Sequence, residues 1–111
     1  MSIRSLAGLV GAALIGAGSL AYAQAVGGSR QMELVRLVRQ DCGSCHGLTL
    51  KGGLGPPLTA HALAGKPAEN LKAVILKGRP GTPMPPWGAF LSDEDAGWIA
   101  EQLLKGFPNE R

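Results

Sequence analysis

Residues 40–47 read Gln40-Asp41-Cys42-Gly43-Ser44-Cys45-His46-Gly47, and this stretch decides how the rest of the chain is read. It holds both cysteines of the sequence and one of its two histidines. On a helical turn, positions i and i+3 lie on one face. Cys42 and Cys45 can therefore reach two points on the same side of a flat partner, and His46 can swing its ring under the centre of that partner. Two thiols at this spacing, followed at once by an imidazole, form the attachment pattern for c-type haem. The thiols would form thioethers with the two vinyl groups, and His46 would be an axial ligand to iron. A redox-active cysteine pair would instead expect a βαβ setting, and no such pattern occurs. A zinc site would need a fourth donor at suitable spacing, and His61 is the only other histidine.

The N-terminal residues agree with export. Arg4 precedes an apolar run from Leu6 to Leu20, and Ala21-Tyr22-Ala23 places small residues at the exit of that run. Charge, apolar run and small-residue exit, in that order, are the secretory pattern. Residues 1–23 are therefore expected to be a cleaved signal peptide, with Ala23-Gln24-Ala25 as a second possible register. The alternative is an uncleaved anchor. However, the run is short for a bilayer span, and Gly8, Gly11, Gly16 and Gly18 interrupt it.

Residues 24–111 then form one domain. The whole chain has 11 basic and 8 acidic side chains, for a net charge of +3, and removal of Arg4 with the leader lowers this by one. So small an excess points to neither nucleic acid nor a membrane surface as partner. Four of the 17 glycines lie in the leader, while the rest, with all eight prolines, fall in the domain. Its only aromatics are Trp87, Phe90, Trp98 and Phe107. So small and loop-rich a chain needs a staple or a metal to complete its core, and a covalently held macrocycle would serve.

Around the cysteines the pattern is helical. Gly28 or Ser29 can cap a first helix that runs to about Asp41, with Met32, Leu34, Val35, Leu37 and Val38 as its apolar stripe and the cysteine motif directly after it. Gly52-Gly53 and Gly55-Pro56-Pro57 mark a loop over residues 47–58. Residues 59–64 suit one short turn, stopped by Gly65. Pro67 fits the first turn of a helix that reaches Lys77, and Gly78 fits its end. Pro80, Pro83, Pro85 and Pro86 make residues 78–87 an ordered, non-helical loop. Ser92 and Asp95 read as a capping box for a last helix whose buried face is Ala96, Ile99, Ala100 and Leu103, ended by Gly106-Phe107-Pro108. No strand pattern appears.

The second axial position falls most naturally to Met84 in Gly81-Thr82-Pro83-Met84-Pro85-Pro86. A thioether is a soft ligand that raises the reduction potential, and the flanking prolines restrict the loop before any bond forms. Met32 reads as ordinary core, and His61 as a surface residue or a rival ligand. A ligating histidine normally donates its far N–H to an acceptor, and the carbonyl of Pro56 is the candidate. Arg79 and Trp87 flank the Met84 loop. Arg79 would reach a haem propionate, and Trp87 would pack on the macrocycle edge.

On these residues the chain resembles class I monohaem cytochromes c. The resemblance rests on Cys42 to His46, on Gly55-Pro56-Pro57-Leu58, and on a Met84 loop between two helices. It implies an all-α fold of three to four helices wrapped around one covalent haem c, with the first and last helices crossing at Leu34 to Val38 and Ile99 to Leu103. Residues 40–47, with Lys51-Gly52-Gly53-Leu54-Gly55-Pro56 and Gly78-Arg79-Pro80-Gly81-Thr82-Pro83-Met84-Pro85-Pro86-Trp87, are further similar to the small NirC-type cytochromes of denitrifying bacteria. That likeness implies a periplasmic carrier of single electrons, not an enzyme, which donates to cytochrome cd-type nitrite reductase. Two alternatives are an accessory role in d-type haem biosynthesis or reductase maturation, and a ligand-binding haem module with a labile Met84. Lys51, Lys66, Lys72, Lys77 and Arg79 could steer an acidic partner.

Overall fold

The computed structural model describes residues 25–109 continuously, together with Gly8, residues 10–13 and Gly16. The expected cleavage site and most of the expected signal peptide lie outside the described residues. Five α-helical segments order the domain: α1 (Gly28–Leu37), α2 (Gly43–His46), α3 (Ala60–Leu63), α4 (Ala68–Lys77) and α5 (Asp93–Lys105). A π-helical turn, Val38–Cys42, joins α1 to α2 without a break. Among the described residues there is no strand, and no helix is long and apolar enough to cross a membrane.

The first helix therefore does not stop at Asp41. Gly27 is its N-cap, and the helical path runs through the cysteine motif to His46. The Gly43 N–H donates to the Val38 carbonyl five residues back as well as to that of Gln40. This wide turn accommodates one extra residue and re-phases the helix, so that Gly43 is buried beyond Val38. Met32 is likewise not core: it is 51% exposed. The inward stripe is Leu34, Val35 and Val38, and two residues of α-helix place Met32 about 200° round from Leu34. Met32 instead lines a groove with Gly28, Gln31, Trp98, Pro108 and Asn109.

The other elements follow their local chemistry. In the Ser92–Asp95 capping box, the Ser92 hydroxyl accepts from the Asp95 N–H at 3.0 Å and the Asp95 carboxylate accepts from the Ser92 N–H at 3.1 Å. Thr59 caps α3 through its hydroxyl. Pro67 sits just before α4 as its N-cap rather than inside the first turn, and Gly78, at φ 66°, closes that helix.

The core is a cluster of Leu34, Val38, Leu50, Leu63, Leu91, Ile99 and Leu103. It brings side chains of α1 and the π turn together with side chains of α5. Each such side chain contributes roughly 1.5–3 kcal/mol by leaving water. Arg30 of α1 adds a polar tie: its guanidinium donates to both carboxylate oxygens of the buried Asp95, at 2.8 and 3.2 Å. Arg39 reaches the chain end, donating to the Phe107 and Pro108 carbonyls at 2.7 and 2.9 Å while lying over the Phe107 ring. Lys72 ties α4 to α5, with Asp93 and Glu69 both at 3.0 Å.

Candidate haem site

Cys42 closes the π turn, and Cys45 and His46 end α2, so all three side chains leave one short helical stretch. Both thiols are free and half-buried. Burial, with Asp41 beside it, pushes the Cys42 thiol up to about 11, so it is protonated at neutral pH.

The loop after His46 folds back on the end of this helix. Gly52 N–H donates to the His46 carbonyl and Gly55 N–H to the Cys45 carbonyl, each at 2.7 Å. These bonds satisfy two carbonyls that a helix end leaves unpaired. The same fold brings the Pro56 carbonyl to 2.7 Å from His46 Nδ1. An N–H on Nδ1 donates to that carbonyl and leaves Nε2 as the free lone pair. Gly55 passes so close that a Cβ there would stand 2.8 Å from the ring atoms Cε1 and Nδ1. The glycine is required by this approach, a feature that the Gly-Pro turn signal alone did not reveal.

Met84 lies half-buried in the proline-rich loop, and Arg79 and Trp87 stand at its two ends. Arg79-Pro80-Gly81-Thr82 forms a turn closed by Thr82 N–H to the Arg79 carbonyl at 3.1 Å, with Gly81 at φ 78°. Proline second and a positive-φ glycine third are the type II arrangement, a signal already present in the sequence. The Arg79 N–H then donates to the Met84 carbonyl at 3.2 Å. The Arg79 side chain is exposed. Trp87 is half-buried against the core, its ring 6.1 Å from the Phe90 ring, and its backbone N–H donates to the Ile75 carbonyl. His61 is exposed on α3. The structure thus joins His46 to Pro56, and Arg79 to Met84 through backbone. No hydrogen bond among the described residues links the two loops to each other.

A family model described as cytochrome c oxidase, cbb3-type, subunit III matches residues 29–102. The chain is 61% identical over 77 residues to cytochrome c55X of Pseudomonas aeruginosa, covering 69% of this chain and 65% of that relative. It is 53% identical over 89 residues to cytochrome c55X of Stutzerimonas stutzeri, covering 80% of this chain and 79% of the relative. The chain belongs to the c-type cytochromes. Among solved structures of this family, one described as c-type cytochrome NirC aligns with a TM-score of 0.70 at 58% identity, covering 71% of this chain and 93% of that one. Another, dihydro-heme d1 dehydrogenase NirN in complex with DHE, aligns with a TM-score of 0.60 at 36% identity, covering 68% of this chain but 16% of that protein.

A c-type cytochrome carries covalent haem, and the Cys42/Cys45 pair supplies the two thiols for one haem c. The residues present fit that group. Helix α4 is apolar along Leu71, Val74, Ile75 and Leu76, yet none of its side chains is fully buried. Cys42, Leu58, Leu71, Ile75, Leu76 and Trp87 are each half-buried and packed against the core, leaving apolar surface that a large flat apolar group would cover. His46 carries a ring nitrogen and Met84 a thioether sulfur, two donor types that haem iron accepts.

Proposed function

We propose that this cytochrome is a periplasmic carrier of single electrons that donates to cytochrome cd-type nitrite reductase, and that residues 1–23 are its export signal. His46 and Met84 are the axial ligands in this reading, and Pro56 orients His46. Bound at Cys42 and Cys45, the haem supplies one exchangeable electron at its iron. The observation that carries the reading is that both ligand segments are braced by their own backbone. His46 is held by the Pro56 carbonyl at 2.7 Å, and the Met84 loop is closed by the Arg79 N–H at 3.2 Å. Donors held in place by such bonds need little rearrangement between two oxidation states, and two protein ligands leave no coordination position for a substrate. The chain is therefore read as a carrier and not as an enzyme.

Docking to a redox partner of this kind is brief and small in area. Lys51, Lys66, Lys77 and Arg79 are exposed and form the candidate steering set. Lys72 does not belong with them, because Glu69 and Asp93 already compensate its charge. In the same reading Arg79 reaches a haem propionate and Trp87 covers the macrocycle edge.

The test is rapid mixing of the reduced cytochrome with oxidised nitrite reductase. Electron transfer at or above the reductase turnover rate supports the donor role, and transfer far below turnover removes it. A second reading, a redox role in making d-type haem, draws on the likeness to the dehydrogenase named for dihydro-haem d1. It predicts slow transfer to nitrite reductase and fast exchange with that enzyme. Rapid carbon monoxide binding by the reduced protein without denaturant would point instead to a ligand-binding module with a labile Met84.

A further inference from the structure

We propose that the Thr82 hydroxyl is the positioning group for the Met84 ligand, acting as the fastener that keeps the loop closed with its sulfur presented to iron. The proposal rests on the reading of Met84 as axial ligand. The Thr82 hydroxyl donates to the Arg79 carbonyl at 2.7 Å and accepts from the Met84 N–H at 3.4 Å. It thus sits between the residue that opens the turn and the residue that carries the sulfur. The Arg79 carbonyl also accepts from the Thr82 N–H, and the Arg79 N–H donates to the Met84 carbonyl. Four hydrogen bonds therefore circulate among three residues, and the hydroxyl takes part in two of them.

The loop also packs closely on the residue that ends α4. At Gly78, φ 66°, a Cβ would stand 2.7 Å from Pro85 C and Pro86 N and 2.8 Å from the Met84 oxygen. The loop is pressed against the end of α4 and cannot retreat that way. Outward movement is the remaining freedom, since Thr82, Pro83, Pro85 and Pro86 are all exposed. The hydroxyl, bonded to the Met84 N–H on one side and the Arg79 carbonyl on the other, opposes that movement of the Met84 backbone. Prolines 83, 85 and 86 donate no backbone hydrogen bonds of their own, so few other groups can do so.

The test compares haem-loaded wild-type protein with Thr82→Val, Thr82→Ser and Met84→Ala, using imidazole as the probe for the oxidised iron. Removal of one hydrogen-bonded hydroxyl should raise the population of opened loop, and so imidazole affinity, by roughly 5–10-fold. Serine should restore the wild-type affinity, while valine keeps the size and loses the bond. The long-wavelength ferric band of methionine ligation should persist in Thr82→Val at neutral pH and yield at lower imidazole concentration. Equal affinity in wild type and Thr82→Val, with Met84→Ala binding much tighter, overturns the role of Thr82 alone. Equal affinity in wild type and Met84→Ala overturns Met84 ligation and this proposal with it. Unchanged helix content and haem stoichiometry in the variants assign any difference to the loop.

Discussion

Replacing Gly55 by alanine tests whether the His46 loop is as close-fitted as the structure has it. The added methyl would stand 2.8 Å from two atoms of the His46 ring and 3.2 Å from Nε2. Ordinary carbon contacts begin near 3.5 Å, so the shortfall is about 0.7 Å. Neither side gives way freely. The ring is held by the Pro56 carbonyl, and the loop by Gly55 N–H on the Cys45 carbonyl and Gly53 N–H on the Gly55 carbonyl. Overpacking of this kind costs about 1–3 kcal/mol, and loss of the Nδ1 hydrogen bond adds about 1 kcal/mol. Gly55→Ala should therefore lower the stability of the oxidised holoprotein by about 2–4 kcal/mol, read from guanidinium denaturation followed by far-UV dichroism. The same substitution at Gly97 is the control. There the nearest atom beyond the helix backbone is Lys72 Cδ at 3.5 Å, and a mid-helix alanine should stabilise by about 0.5–1 kcal/mol. The reasoning fails if Gly55→Ala lies within about 0.5 kcal/mol of wild type, the usual spread of neutral surface changes. It fails equally if both variants lose stability alike.

Three further outcomes follow from the ties between elements. Arg30 hydrogen bonds, then those of Ser92, hold the Asp95 carboxyl below its usual range against the opposing effect of burial. Asp95→Asn should cost about 1–2 kcal/mol at neutral pH, moderate because Arg30 is partly exposed. That contribution is complete above the unfolded carboxylate pKa of about 4 and is lost as pH falls through the lower folded value. Urea midpoints of wild type and variant should accordingly converge below about pH 4. Arg39→Ala removes the bonds to the Phe107 and Pro108 carbonyls, so limited proteolysis should cut the 106–109 stretch of the variant faster than that of wild type. Arg39→Lys should not restore resistance, since one ammonium cannot reproduce the guanidinium fork. Finally, Lys77→Gln combined with Arg79→Gln should flatten the salt dependence of nitrite reductase reduction.

The parts of this architecture that rest on short-range chemistry were legible in the residues. The cysteine–histidine spacing, the Ser92–Asp95 box, the stop at Gly78 and the inward face of α5 each depend on neighbours within a few positions. The Pro56 contact was also foreseeable, because a histidine ligand needs an acceptor and a Gly-Pro loop follows it closely. Less visible was the π turn at Val38–Cys42, which depends on how α1 and α2 both seat against the core, not on any local residue preference. Met32 was misplaced for a local reason: its apolarity fits the stripe, but its angle from Leu34 does not. The Arg30–Asp95 and Arg39–Phe107 ties join residues distant in sequence, and only the assembled core brings them together.

The groove beside α1 has a topological consequence. Its rim includes Gly28, the first helical residue, and Pro108 and Asn109 near the far end of the domain. Entrance and exit of the folded unit are therefore neighbours, much as the two ends of a hairpin are. Ends placed side by side let a domain be spliced into or onto another polypeptide with little distortion. The 36% identical unit that makes up 16% of a larger dehydrogenase fits such a history. A unit whose two ends leave from one corner can be joined to further chain without disturbing its core.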